Sequence, residues 1–106
     1  SDMLAVREEI FGPVLTVQEF DDEEQGLALA DHPTYGLAAS VHTQDLGRAM
    51  RATRRLAAGT VWVNRFGRTG DFIVPTGGFK GSGIGKDLGR QAFEANLRYK
   101  SVLIDF

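Results

Sequence analysis

The passage from Gly59 to Gly89 constrains this chain more than any other stretch. It opens Gly-Thr-Val-Trp-Val-Asn, runs through Pro75-Thr-Gly-Gly-Phe-Lys-Gly-Ser-Gly-Ile-Gly-Lys86 and closes on Asp87-Leu-Gly. That reads as a buried strand, a long irregular loop and the start of a helix. Gly77, Gly78, Gly81, Gly83 and Gly85 fall within nine positions, so the backbone is free to approach other groups where a Cβ would collide. Loops longer than about 12 residues inside a compact domain are usually functional or disordered, and the apolar strand before this one favours function.

A phosphate cradle is the first function to test. A Walker A loop needs Gly, four residues, then Gly-Lys-Ser/Thr; counting back from Gly85-Lys86 puts Lys80 where the first glycine belongs, and Asp87 follows the lysine. A dinucleotide Gly-x-Gly-x-x-Gly fails as well, because the third glycine would fall on Lys86 or Leu88. Nor does the run sit directly between a strand and a helix of a βαβ unit. Loop packing is the better reading of these glycines.

Around this loop the chain reads as strand, helix, strand, helix, strand, loop, helix, strand. Val14 to Phe20 is rich in β-branched and apolar residues and predicts a strand. Asp21 is placed to cap a helix with Glu24 as its reciprocal partner, and Pro33 stops that helix near Asp31. Leu37 to His42 predicts a second strand. From about Asp45 to Ala58 the residues Leu46, Ala49, Met50, Thr53, Leu56 and Ala57 keep one helical face apolar, with Gly59 as the residue past its end. The arginines of that helix, Arg48, Arg51, Arg54 and Arg55, are expected on a solvated face paired with acids such as Asp22 and Glu23. Val61-Trp62-Val63 is apolar on both faces, as in a covered central strand. A helix is expected from about Asp87 to Arg98, and Tyr99 to Phe106 alternates like a strand. The order implies an α/β layer with a largely parallel sheet. The uncovered apolar last strand is expected to add to a sheet edge in this chain or a partner.

With 106 residues there is room for one domain or a piece of one. The sequence begins Ser-Asp-Met, which is expected of a chain that has been processed, engineered or cut from something longer. A net charge of −2 argues against nucleic acid or an acidic membrane as the main partner. No apolar run reaches the ~20 residues of a membrane span, and no signal-peptide pattern opens the chain; a cytoplasmic location is the expectation. The chain has no cysteine, so it supplies no thiol chemistry or thiolate metal ligand. His32 and His42 lack co-ligands for a metal, and no Gly-x-Ser-x-Gly elbow surrounds Ser40, Ser82 or Ser101.

Glu8-Glu-Ile-Phe-Gly-Pro13 offers a different chemistry. In extended backbone Glu9 and Phe11 point the same way. An ionised carboxylate accepts two hydroxyl hydrogens and a ring supplies a flat apolar wall, which suits a sugar diol and a heterocycle. A surface Glu beside a core Phe is the plain alternative.

Four segments, Glu8-Glu-Ile-Phe-Gly-Pro-Val14, Tyr35-Gly-Leu-Ala-Ala39, Gly59-Thr-Val-Trp-Val-Asn64 and Gly77-Gly-Phe-Lys-Gly-Ser-Gly83, resemble in type and order the C-terminal portion of the NAD(P)-dependent aldehyde dehydrogenase family. The resemblance spans essentially the whole chain. It implies a three-layer α/β fold with a mostly parallel sheet, residues 1–98 forming the last part of a catalytic domain and 99–106 an oligomerisation strand. It further implies that Glu9 holds the nicotinamide ribose of NAD or NADP and that Phe11 lies against the nicotinamide. The segment from Arg65 to Thr76 would line an aldehyde access tunnel, with Asn64, Phe66, Phe72 and Thr76 as candidate contacts. Thr76 stands where many members carry a bulky apolar residue.

The family's mechanism uses a cysteine thiolate nucleophile, hydride transfer to the nicotinamide and a glutamate that activates water. The nucleophile and base lie upstream of these motifs in the family. The resemblance therefore implies a homo-oligomeric enzyme acting on a small aldehyde, of which this chain is a piece that is inactive alone and binds no nucleotide tightly. A stand-alone interaction module derived from the same region is the alternative from another functional class.

Overall fold

The computed structural model describes residues 3–67 and 72–106; positions 68–71 of the expected access loop lie outside the described residues. The elements are α1 (Leu4–Arg7), α2 (Glu23–Ala30), β1 (Tyr35–Gly36), β2 (Ala38–Val41), α3 (Leu46–Arg55), β3 (Thr60–Val63), β4 (Phe79–Lys80) and α4 (Gly89–Ala95). The protein is α/β, and β2 and β3 pair in parallel, Ala38 opposite Thr60 through Val41 opposite Val63, with α3 as the crossover between them. A second, antiparallel pair joins β1 to β4, Tyr35 opposite Lys80 and Gly36 opposite Phe79.

Helix α3 begins where the sequence places it. The Asp45 carboxylate accepts from the Arg48 N–H, which satisfies one of the free amides of the first turn. Its apolar face then supplies the buried apolar side chains among the described residues, Ala49, Ala52 and, just past the end, Leu56. Gly59 is not the residue that ends it: the last helical residue is Arg55 and Leu56 is already extended. Gly59 is required for close approach instead, since a Cβ there would fall on the carbonyl of Gly77.

Helix α2 is shifted by one position from expectation. Asp22, not Asp21, caps it by accepting from Gln25 N–H at 2.8 Å, and Gln25 Oε1 accepts in return from Asp21 N–H at 2.6 Å. The role expected of Glu24 passes to Gln25 because both glutamates of the first turn reach across to α3. Glu23 pairs with Arg48 and Arg51, and Glu24 with Arg55. The expected pairing of the arginine face with Glu23 is present, and the helix ends at Asp31 as Pro33 requires.

Three segments depart from the sequence reading. Residues 14–20 form no strand: among the described residues they have no ladder partner, and Leu15 and Val17 are 88% and 81% exposed. β-propensity expresses itself through cross-strand packing, and no edge is offered here. Residues 99–106 likewise form no strand within this chain. Helix α4 is shorter than expected, because Leu88 sits at φ 61 and the Asn96 amide donates to Ala92 O at 2.8 Å, closing the helix at Ala95. In addition, among the described residues β3 pairs on one side only and is half-buried throughout, so it is not a covered central strand within this chain.

The radius of gyration is 18.5 Å over extents of 73 × 33 × 25 Å, against about 13 Å for a compact domain of this length. Large apolar side chains stand in solvent along the whole chain, from Phe11 to Phe106.

Candidate functional site

The antiparallel pair β1–β4 brings two of the sequence motifs together. Beyond the ladder, Gly81 N–H donates to Thr34 O at 2.8 Å, and Ser82 Oγ accepts the Gly36 N–H at 3.0 Å. Lys80, held at φ 53, reaches back to Asp31 Oδ1 at 2.6 Å and to His32 O at 2.7 Å. The Lys80 hydrogen bond holds the Asp31 carboxyl below the usual carboxylate range, against the opposing effect of partial desolvation. The loop of glycines is thus clamped onto the turn after α2.

Two grooves of about 520 and 710 Å³ open beside this clamp, and both are lined by Val6, Glu8, Glu9, Asp31, His32 and Tyr35. Glu9 is exposed, and none of the described residues hydrogen-bonds or ion-pairs with its carboxylate. Its two oxygens are available to hydroxyl donors. Phe11 is 98% exposed and lines neither groove. Gly12 N–H turns back to Ile10 O at 2.7 Å, a tight three-residue turn centred on Phe11. The strict alternation of an extended strand therefore stops at that residue.

His32 ties the groove together. Its Nδ1 accepts from both Thr34 N–H and Tyr35 N–H at 3.1 Å, so the ring proton resides on Nε2, which donates to Val6 O at 3.2 Å. The ring stacks on Tyr35 with centroids 4.9 Å apart. His32 and Ser82, the residues whose types suggest a metal ligand and a nucleophile, are both hydrogen-bonding braces. The signal for this is present in His32-Pro-Thr-Tyr35, a turn in which a side-chain acceptor takes the amides two and three residues on.

The tunnel candidates differ in what holds them. Asn64 sits at φ 56; its Oδ1 accepts Thr43 N–H at 2.8 Å and its Nδ2 donates to Thr43 O at 2.9 Å. Both polar atoms are thus occupied at the end of the parallel sheet. Phe66 is 76% exposed and meets Trp62 edge to face at 5.0 Å, while Phe72 is 67% exposed. Thr76 exchanges two backbone hydrogen bonds with Asp87, at 2.7 and 2.6 Å, closing the glycine loop on itself. Ser40 and His42 lie 3.1 Å apart, but the Ser40 hydroxyl proton goes to Arg65 O at 2.7 Å, so the histidine does not act on it as a base. Among the described residues no cluster of three or more His, Asp or Glu is arranged to hold a metal, and no helix is long and apolar enough to cross a membrane.

The sequence matches the model of the aldehyde dehydrogenase family over residues 1–102. It is 49% identical over 102 residues to an aldehyde dehydrogenase of Aspergillus niger, covering 96% of this chain and 20% of that protein. To the NADP/NAD-dependent aldehyde dehydrogenase PuuC of Escherichia coli (strain K12) it is 52% identical over 98 residues, covering 92% of this chain and 20% of that protein. The fold is similar to betaine aldehyde dehydrogenase from Staphylococcus aureus in complex with NAD+, with a TM-score of 0.82 at 44% identity over 88% of this chain and 18% of that one. The chain spans about one fifth of the length of the relatives it matches. With four motifs, a parallel β2–α3–β3 unit and a family match over nearly every residue, this chain belongs to the aldehyde dehydrogenase family.

Proposed function

We propose that this chain is the C-terminal portion of an enzyme that oxidises an aldehyde to a carboxylic acid with NAD+ or NADP+. In this reading residues 1–98 complete a catalytic domain and residues 99–106 add a strand to a partner's sheet in a homo-oligomer. The observation that carries the reading is the missing core. Ala49, Ala52 and Leu56 are the buried apolar residues among those described, a core much smaller than a chain of this length can build, while the apolar side chains a catalytic domain would cover stand exposed. Relatives that are NADP/NAD-dependent or hold NAD+ support the choice of cofactor.

The donor set fits a nicotinamide nucleotide. Glu9 presents an unpaired carboxylate to a groove, as a ribose diol requires, and Phe11 offers a free ring two residues on. When bound, a nicotinamide nucleotide would supply the hydride acceptor. Glu9 anchors the diol and Phe11 limits the swing of the flat ring. Phe66 and Phe72 supply apolar wall to the aldehyde's path, and Asn64 and Thr76 contribute by fixing the two ends of that loop. The thiolate and the water-activating glutamate come from polypeptide outside this chain, which has no cysteine. The cytoplasm is the compartment that suits such a chemistry.

The free Glu9 carboxylate favours this reading over a stand-alone interaction module, for which the acid would serve nothing. The chain alone, mixed with NAD+ and an aldehyde, is expected to produce no NADH absorbance; turnover would overturn the reading. In the intact enzyme Glu9→Gln is expected to weaken nucleotide use by about 1–3 kcal/mol through the altered hydrogen bonds.

A further inference from the structure

The segment that carries Glu9 is weakly attached. Helix α1 is a single turn of four residues, too short to hold itself together, and the backbone beyond it is irregular as far as Phe20. Among the described residues, one hydrogen bond joins residues 4–20 to residues 21–106: His32 Nε2–H to the carbonyl of Val6. Val6 lies three residues before Glu9, and its carbonyl belongs to the last turn of α1, where no backbone amide is left to satisfy it. The same ring is fixed from its other side by the amides of Thr34 and Tyr35 and by stacking on Tyr35. It is therefore a rigid, single-tautomer peg set in the turn that Lys80 also clamps.

We propose that His32 is the positioning residue that sets the Glu9 carboxylate in its groove, acting through the Val6 carbonyl; this rests on Glu9 being the nucleotide ligand. A carboxylate on an unanchored segment must be ordered each time the diol binds, and that cost appears as weaker binding. The two ring nitrogens have separable duties. Nδ1 shapes the 32–35 turn, and Nε2 places the acid.

Glutamine and asparagine separate these duties. Its amide nitrogen lets His32→Gln keep a donor within reach of Val6 O, although the turn amides lose their acceptor. Asparagine does the reverse, since its shorter side chain serves the turn and falls short of Val6. In the intact enzyme carrying this chain, His32→Asn is expected to raise the nucleotide KM on the order of fivefold to tenfold with kcat little changed, the mark of lost ground-state positioning. His32→Gln is expected to stay within about twofold of the parent. Equal losses in both variants would make His32 a merely structural brace and overturn the proposal. So would an unchanged KM in His32→Asn while Glu9→Gln raises it. If Glu9→Gln itself leaves nucleotide kinetics unchanged, the assignment of Glu9 fails first and the role of His32 falls with it. In the 106-residue chain, a nitrogen-15 spectrum placing the His32 proton on Nδ1 would also overturn the proposal.

Discussion

The carboxylate of Glu23 receives the guanidinium of Arg51 through two bonds, Nε to Oε1 at 2.6 Å and Nη2 to Oε2 at 2.7 Å. Arg48 adds a third contact at 3.3 Å. These bonds, Arg51's foremost, pull the Glu23 pKa from its ordinary 4.5 down to about 2. A depressed acid stabilises the fold wherever it is ionised in both states, so the contribution is whole above about 4.5 and is lost as pH falls toward about 2. The helical content of the chain is therefore expected to fall across this window more steeply than that of Glu23→Gln, which has no proton to take up. Circular dichroism against pH reads the difference, and parallel curves for the two proteins would refute the pairing. Added salt should shrink the gap, because the pair lies near the surface.

Gly59 and Gly77 meet so closely that neither the loop nor β3 has room for one more carbon. A Cβ on Gly59 would overlap the Gly77 carbonyl and crowd Gly78 Cα, backbone atoms that no rotamer change removes. Gly59→Ala is expected to destabilise by about 1–3 kcal/mol or more, the usual cost of overpacking. Gly85→Ala meets nothing within 4 Å and should unfold within about 0.5 kcal/mol of the parent. The fluorescence of Trp62, the one tryptophan of the chain, tracks both transitions. Equal stabilities would mean that the loop does not lie against β3.

Val102, Leu103, Ile104 and Phe106 project into solvent, Leu103 at 90% and Phe106 at 118% exposure. Apolar surface this continuous promotes association. Light scattering on the isolated chain is expected to show a mass above 11.6 kDa that climbs with concentration. Val102→Lys with Ile104→Lys should lower it. A strictly monomeric mass at high concentration would remove residues 99–106 from any assembly surface.

Local signals in the sequence survived where the chain itself contains the groups they require. Asp45 and the apolar face of α3 needed only each other and β3, and so did the β2–β3 pairing. The signals that failed find no partner among the described residues. Val14 to Phe20 and Tyr99 to Phe106 have strand composition without a strand beside them, and β3 has the composition of a central strand with one neighbour. The candidate site divides in the same manner. Glu9 was legible as a carboxylate two residues from a ring, whereas the turn at Phe11 depends on a Gly12 to Ile10 contact that two-residue alternation ignores. The bracing of Val6 by His32 spans 26 residues, a distance over which periodicity carries no information.

Asn64 distinguishes a residue that touches substrate from one that holds the frame. It occupies φ 56, where asparagine is tolerated and alanine is strained, and it exchanges two side-chain hydrogen bonds with the backbone of Thr43. Asn64→Gly keeps the backbone geometry and loses the bonds, which should cost about 1–2 kcal/mol. Asn64→Ala loses the bonds and adds roughly 1–2 kcal/mol of left-handed strain, partly recovered because alanine has less backbone entropy to lose. The ordering asparagine over glycine over alanine is therefore expected in thermal melts, with glycine above alanine where helix propensity ranks alanine above glycine. In the intact enzyme an Asn64→Gly variant should keep its aldehyde KM once the measurement is made well below its melting temperature. A raised aldehyde KM at full stability would instead put the Asn64 amide in contact with substrate, and the Thr43 bonds would then be a resting arrangement that the aldehyde displaces.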